Sequence, residues 1–88
     1  MRITFKAFAT LGEYLPREHE GHVRVGHELP LEVPEGTTVQ AVLDRFPFPR
    51  ALLHLVLVNG EYLLPSERAS HLLREGDAVA VWPPIAGG

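Results

Sequence analysis

Cysteine is absent from the 88-residue chain, which removes a disulfide framework, a thiolate zinc site and a thiol nucleophile together. Positive charge is also scarce. Eight Lys and Arg against eleven Asp and Glu leave a formal net charge of −3, with a pI near 5.9. A nucleic-acid partner would need a basic patch or stripe, so none is expected. No apolar run reaches the roughly 18 residues of a transmembrane helix, and no membrane partner is expected either. The N-terminus, Met1-Arg2-Ile3-Thr4-Phe5-Lys6, alternates polar and apolar residues where a signal peptide would be continuously apolar, so the expected compartment is the cytoplasm. Asn, Gln and Met occur once each and Arg outnumbers Lys seven to one; this fits a heat-adapted source, or simply genome composition. At 45% hydrophobic residues the chain has enough apolar side chain to fold. At this length about 60–65% of the unfolded surface is buried, enough for one core but not for a deep catalytic pocket.

Residues 2–9 read as a strand with Ile3, Phe5, Ala7 and Ala9 on one face. Phe8 is the anomaly, an aromatic on the otherwise polar face. Residues 10–22 read as turn and loop, with a short helical possibility around Leu11–Leu15. Val23 to Val33 reads as a bent strand or two short ones, with Pro30 at an edge or bulge where its missing N–H does no harm. After Pro34-Glu35-Gly36, Thr37 and Gln40 have capping-box spacing. Val39, Val42, Leu43 and Phe46 then form the stripe of an amphipathic helix over 38–46, which Pro47 and Pro49 stop.

Leu53–Val58, apolar except for His54, predicts a central strand buried on both faces. Asn59-Gly60 predicts a type I′ hairpin into a short return strand over Glu61–Leu64. Ser66 is placed to cap a helical turn running to Ser70, anchored by Leu72 and Leu73. Glu75-Gly76-Asp77 is a turn, and Ala78–Trp82 is the last strand. The order strand, strand, helix, strand, short strand, turn, strand predicts an α+β roll: a mixed sheet of four to five strands with one main helix across one face. A β-grasp, or ubiquitin-like, arrangement fits it. The domain spans 1–82 and the tail 83–88.

The tail reads Pro83-Pro84-Ile85-Ala86-Gly87-Gly88. Pro-Pro ends a ladder strand and stiffens the start of the arm, since neither residue donates a backbone N–H and each has a fixed φ. Gly87 and Gly88 have no side-chain bulk, so they suit threading a narrow channel and presenting the Gly88 carboxylate to a partner. That carboxylate is ionised at neutral pH, with an ordinary pKa of about 3.3–3.7, and must be activated before a nucleophile will attack it.

Trp82-Pro83-Pro84-Ile85-Ala86-Gly87-Gly88 resembles the ending of the MoaD/ThiS family of ubiquitin-like sulfur carriers, and most of all that of molybdopterin synthase small subunits. Leu57-Val58-Asn59-Gly60, the Leu73–Val81 approach to the last strand and Pro34-Glu35-Gly36-Thr37-Thr38-Val39 are similar to the family too. The resemblance implies a β-grasp fold and a carrier that is not itself an enzyme. A ubiquitin-activating-type adenylyltransferase would spend ATP and Mg²⁺ to adenylate Gly88, with no cofactor held stably by the carrier. A sulfur donor protein would displace AMP to leave a Gly88 thiocarboxylate. The tail would then insert into a large molybdopterin synthase-like subunit. Carriage to another acceptor (thiamin thiazole, a tRNA base, cysteine) uses the same chemistry, and a ubiquitin-like modifier would join Gly88 to a lysine amine. An inert β-grasp adaptor would need no free tail.

Strand parity adds a docking surface. If the Val, Ile and Leu faces meet the helix, Phe8, Tyr62 and Trp82 share the outer sheet face beside the tail, an aromatic cluster of the kind that marks an interface. The five histidines are not read as a metal site. In Glu18-His19-Glu20-Gly21-His22 the histidines are three apart and Gly21 breaks a helix, so a polar surface loop is the expectation. His54 and His71 read as strand-edge or surface residues, and Arg17-Glu18, Arg68 and Arg74-Glu75 as solvated charge.

Overall fold

The computed structural model describes residues 1–84. Its main sheet has five strands: β1 (Arg2–Ala7), β4 (Glu28–Glu32), β5 (Leu55–Val58), β6 (Glu61–Tyr62) and β7 (Ala78–Trp82), in the order β4-β1-β7-β5-β6. β1 and β7 lie side by side and parallel, while every other neighbour is antiparallel. The helix α1 (Val39–Leu43) covers one face. A separate hairpin of β2 (Glu18–His19) and β3 (His22–Val23) lies against the edge strand β4. This is a mixed-sheet β-grasp roll, as the element order predicts.

Alternation on β1 places Ile3, Phe5 and Ala7 inward, and Val79 and Val81 do the same from β7. They meet Leu29 and Leu31 of β4, Val56 and Val58 of β5, and Val39, Val42 and Leu43 of α1. Phe5 is fully buried, with the rings of Phe46 and Phe48 at 5.6 and 5.7 Å. Burying each such side chain stabilises the fold by about 1.5–3 kcal/mol. Pro30 sits on the edge strand opposite Thr4, as its missing N–H requires. Asn59 and Gly60 have φ of 52° and 84°, the two positive values of the predicted I′ turn.

Several local expectations need correction. The helix is shorter than 38–46: after Leu43 the chain tightens, with Arg45 N–H donating to Val42 and Phe46 N–H to Leu43, three residues back. Pro47 disfavours α geometry at the residue before it, which explains the early stop. Phe46 keeps its core position all the same. The N-cap is Thr38, whose Oγ1 accepts from Ala41 N–H at 3.1 Å, and Thr37 instead donates to the Pro34 carbonyl at 2.6 Å. Gln40 reaches Asp44 at 2.9 Å and closes no capping box. Ser66 caps nothing; a 3₁₀ turn over Pro65–Glu67 begins at Leu64, whose N–H donates to the Glu67 carboxylate at 2.9 Å.

The region 10–22 is more ordered than a loop. Ala9–Tyr14 is a 3₁₀ helix, and Arg24 fastens the hairpin to it by donating to the carbonyls of Gly12 and Leu15 at 2.6 and 2.7 Å. A two-stranded hairpin is marginal alone, so this anchor matters. His19 lies edge-on to Phe46, ring centroids 5.2 Å apart, and is not a solvated loop residue. Arg68 is not solvated charge either: at 8% exposure it is the one buried charged side chain among the described residues. The Pro65–Glu67 turn directs it inward, a consequence of backbone path that no local pattern reports. No helix is long and apolar enough to cross a membrane, and no cluster suited to a metal ion occurs, both among the described residues.

Candidate functional site

The tail is rooted on the strand at the centre of the sheet. β7 is hydrogen-bonded on both sides, to β1 and to β5, up to its last residues. Phe8 N–H donates to the Val81 carbonyl at 3.0 Å and His54 N–H to the Trp82 carbonyl at 3.2 Å. Pro83, with no N–H to donate, is nevertheless buried against the domain, and Pro84 is exposed. Ile85, Ala86, Gly87 and Gly88 lie outside the described residues.

Beside this root stand two of the three aromatics expected there. Phe8 and Trp82 stack with ring centroids 4.1 Å apart and planes 3° from parallel, and His27 lies 4.8 Å from Phe8 on its other flank. The pairing that makes this stack is the parallel β1–β7 register: Lys6 faces Ala80, so the next outward residues, Phe8 and Trp82, become neighbours. Both rings are half-buried by each other and by the sheet beneath them.

Tyr62 is on the same face but not in the stack. The register runs Ala80 to Leu57 to Tyr62, so Tyr62 stands two strands from Trp82, and it is 52% exposed. Between them lie Leu55, opposite Trp82, and Leu57, opposite Ala80, both half-buried with no second layer above them among the described residues. This corrects the reading of β5 as a strand buried on both faces: Val56 and Val58 face the core, while Leu55 and Leu57 face outward. The outer surface is thus a continuous apolar strip, Phe8–Trp82–Leu55 with Leu57 and Tyr62 beside it, and small Ala80 forms a shallow saddle. Leu55 and Leu57 were missed because an unbroken apolar run reads as two-sided burial; the outward aromatics of the neighbouring strands were the signal that the face was open.

A parallel pair of central strands, one main helix on one face and an apolar opposite face at the root of a C-terminal arm define a ubiquitin-like β-grasp domain. The ThiS family model matches residues 8–88, and the chain belongs to that family. Among solved structures, SAMP1 from Haloferax volcanii is similar over the whole of both chains, with a TM-score of 0.66 at 21% identity, a likeness of fold. No curated protein matches the chain.

Proposed function

We propose that the chain is a sulfur carrier whose working group is the Gly88 carboxylate, and that its acceptor reaction is the sulfuration of a pterin precursor in molybdenum or tungsten cofactor synthesis. The observation that carries the carrier reading is the root of the tail: a strand held on both sides ends in Trp82-Pro83-Pro84, and the small or apolar residues Ile85-Ala86-Gly87-Gly88 follow. In this reading the chemistry at Gly88 takes place in a pocket supplied by another protein. The aromatic-Pro-Pro ending supports the pterin branch over the other acceptors.

In this reading the Gly88 carboxylate oxygen attacks the α-phosphorus of ATP, held with Mg²⁺ by a ubiquitin-activating-type adenylyltransferase, and pyrophosphate leaves. Hydrosulfide (HS⁻) released by a donor protein then adds to the acyl carbon, and AMP and a proton depart, leaving the thiocarboxylate. The chain's own part is to dock and to aim. Phe8, Leu55, Leu57, Tyr62 and Trp82 offer an apolar surface to the activating enzyme and then to the large synthase-like subunit. Pro83 fixes where the arm starts.

Intact mass after incubation with the activating enzyme, ATP and a sulfur source tests the carrier step: one terminal oxygen exchanged for sulfur is expected, and an unchanged mass with a competent partner would refute it. Incubating the sulfurated form with the large subunit and a pterin precursor tests the acceptor. Loss of that sulfur to the pterin is expected. Retention there, together with transfer to a thiazole precursor or a tRNA, would reassign the acceptor and leave the carrier step standing.

A further inference from the structure

Arg68 has no counter-charge among the described residues. The residue is only 8% exposed, yet Nη2 alone of its guanidinium nitrogens has a partner, the Leu53 carbonyl at 3.3 Å. Nε is buried with no partner, and no carboxylate oxygen among the described residues lies within 4.0 Å of the group. Arginine stays charged at any physiological pH, so burial cannot be relieved by losing the proton. Its backbone is fixed: the Arg68 carbonyl accepts from Gln40 N–H at 2.8 Å and its N–H donates to the Pro65 carbonyl at 3.4 Å. The side chain lines a groove of about 370 Å³ shared with Gln40, Asp44, Arg50, Leu53 and Pro65.

We propose that this groove receives a carboxylate, delivered by an acidic side chain of the protein that takes the tail. The planar fork of a guanidinium matches a carboxylate through two parallel hydrogen bonds. Two arginines and one aspartate line the groove. That balance suits a singly charged carboxylate better than a doubly charged phosphate, which Asp44 would repel. Asp44 itself is engaged by the Gln40 amide at 2.9 Å.

Position selects the source. The peptide group between Leu53 and His54 gives its carbonyl to Arg68 and its N–H to Trp82. One peptide unit therefore joins the groove to the root of the tail, which brings the groove within reach of a protein gripping the tail. A lone carboxylate held by one guanidinium binds with a Kd on the order of 10 mM or weaker, too weak for a free metabolite to fill the groove at ordinary concentrations. The same contact inside a docked complex adds to an affinity already present. The choice of source rests on the carrier reading; the groove itself does not.

The full chain, ¹⁵N-labelled, is titrated at constant ionic strength with sodium acetate, and separately with inorganic phosphate, while the arginine Nε–H resonances are followed. Saturable movement of the Arg68 resonance by acetate is expected, with phosphate binding no tighter. D44N should strengthen acetate binding several-fold by removing the competing charge. A linear drift shared with exposed Arg74, or weaker acetate binding in D44N, would overturn the groove. For the source, binding of the activating enzyme is measured with R68Q and R68K, after their spectra show the native fold. Losses of about tenfold to hundredfold in R68Q, only partly restored by R68K, are expected from a fork-shaped contact. Unchanged affinity in R68Q would overturn the partner assignment. The acetate titration contains no partner, so it separates failure of the groove from failure of the carrier reading. If R68Q does not fold, D44N carries the test in both arms, since a partner's carboxylate should also bind it more tightly.

Discussion

The outer strip makes unequal demands on its three aromatics, and substituting them one at a time separates docking from folding. Tyr62 is 52% exposed and touches no other ring, so Tyr62→Ser should change stability by about 0.5 kcal/mol or less. Phe8 and Trp82 are different. Each is half-buried, and their rings stack at 4.1 Å. Full burial makes an aromatic-to-Ala change cost about 3–5 kcal/mol, so half-burial puts each single substitution at about 2 kcal/mol. The stack itself contributes about 0.5–1.5 kcal/mol, which should appear as the coupling term of the Phe8→Ala/Trp82→Ala double-mutant cycle. Urea denaturation supplies these values, and calorimetric titration of each variant into the activating enzyme supplies the binding counterpart. A docking anchor loses about 2 kcal/mol or more in affinity when truncated, roughly a factor of 30 in Kd. Tyr62→Ser is the decisive variant, because its folding is nearly untouched. If Tyr62→Ser and Trp82→Ala both leave the Kd within twofold, the strip is not the docking surface. If Trp82→Ala costs more than about 4 kcal/mol of stability, the residue belongs to the core and the strip is narrower than drawn.

Two further substitutions probe how the scaffold holds the site. Thr38→Ala removes the acceptor for Ala41 N–H and should cost about 1 kcal/mol in thermal or urea unfolding, whereas Thr37→Ala, which loses an exposed bond to Pro34, should cost less; the reverse order would return the cap to Thr37. At the hairpin, Asn59 uses both ends of its amide, donating to Asp77 and accepting from Ala78 N–H, each at 2.9 Å, while its φ is 52°. Asn59→Gly keeps the backbone conformation and loses the bonds; Asn59→Ala loses both, so Ala should be the worse by about 1 kcal/mol in urea denaturation, and equal losses would show that backbone strain is not a factor.

How far each feature was legible in the sequence depends on the range of its signal. Alternation on β1 and β7, the Asn-Gly turn, the edge position of Pro30 and the stripe through Val42 and Leu43 are local regularities, and they placed the fold. Strand parity also put Phe8, Tyr62 and Trp82 on one face. The gap between Tyr62 and the other two was not legible, because it depends on strand order: β5 sits between β7 and β6, and nothing local to Tyr62 says so. Leu55 and Leu57 were misread for a related reason. An apolar run records that a face avoids water without saying whether this chain or another covers it. Arg68 and the Arg24 anchor lie furthest from sequence-level reach, since their partners are backbone carbonyls 15 residues away for Arg68 and 12 and 9 for Arg24.

Placement of the tail on a central strand has a mechanical consequence. An edge strand frays more readily than one bonded on both sides, because fewer hydrogen bonds hold it. β7 is held by β1 through the parallel register and by β5 through the antiparallel one, and the last carbonyls of both Val81 and Trp82 are still engaged. The orientation of the Trp82–Pro83 bond is thereby tied to the whole core and not to a loop. If Gly88, five residues past Pro83, is the reactive group as proposed, a partner binding the outer strip would also meet a fixed start of the tail. Docking energy collected at Tyr62 and Leu57 would then be converted into position at Gly88. β7, like β1 and β5, is bonded on both sides, so in the proposed reading the carboxylate is delivered from a firmly held starting point.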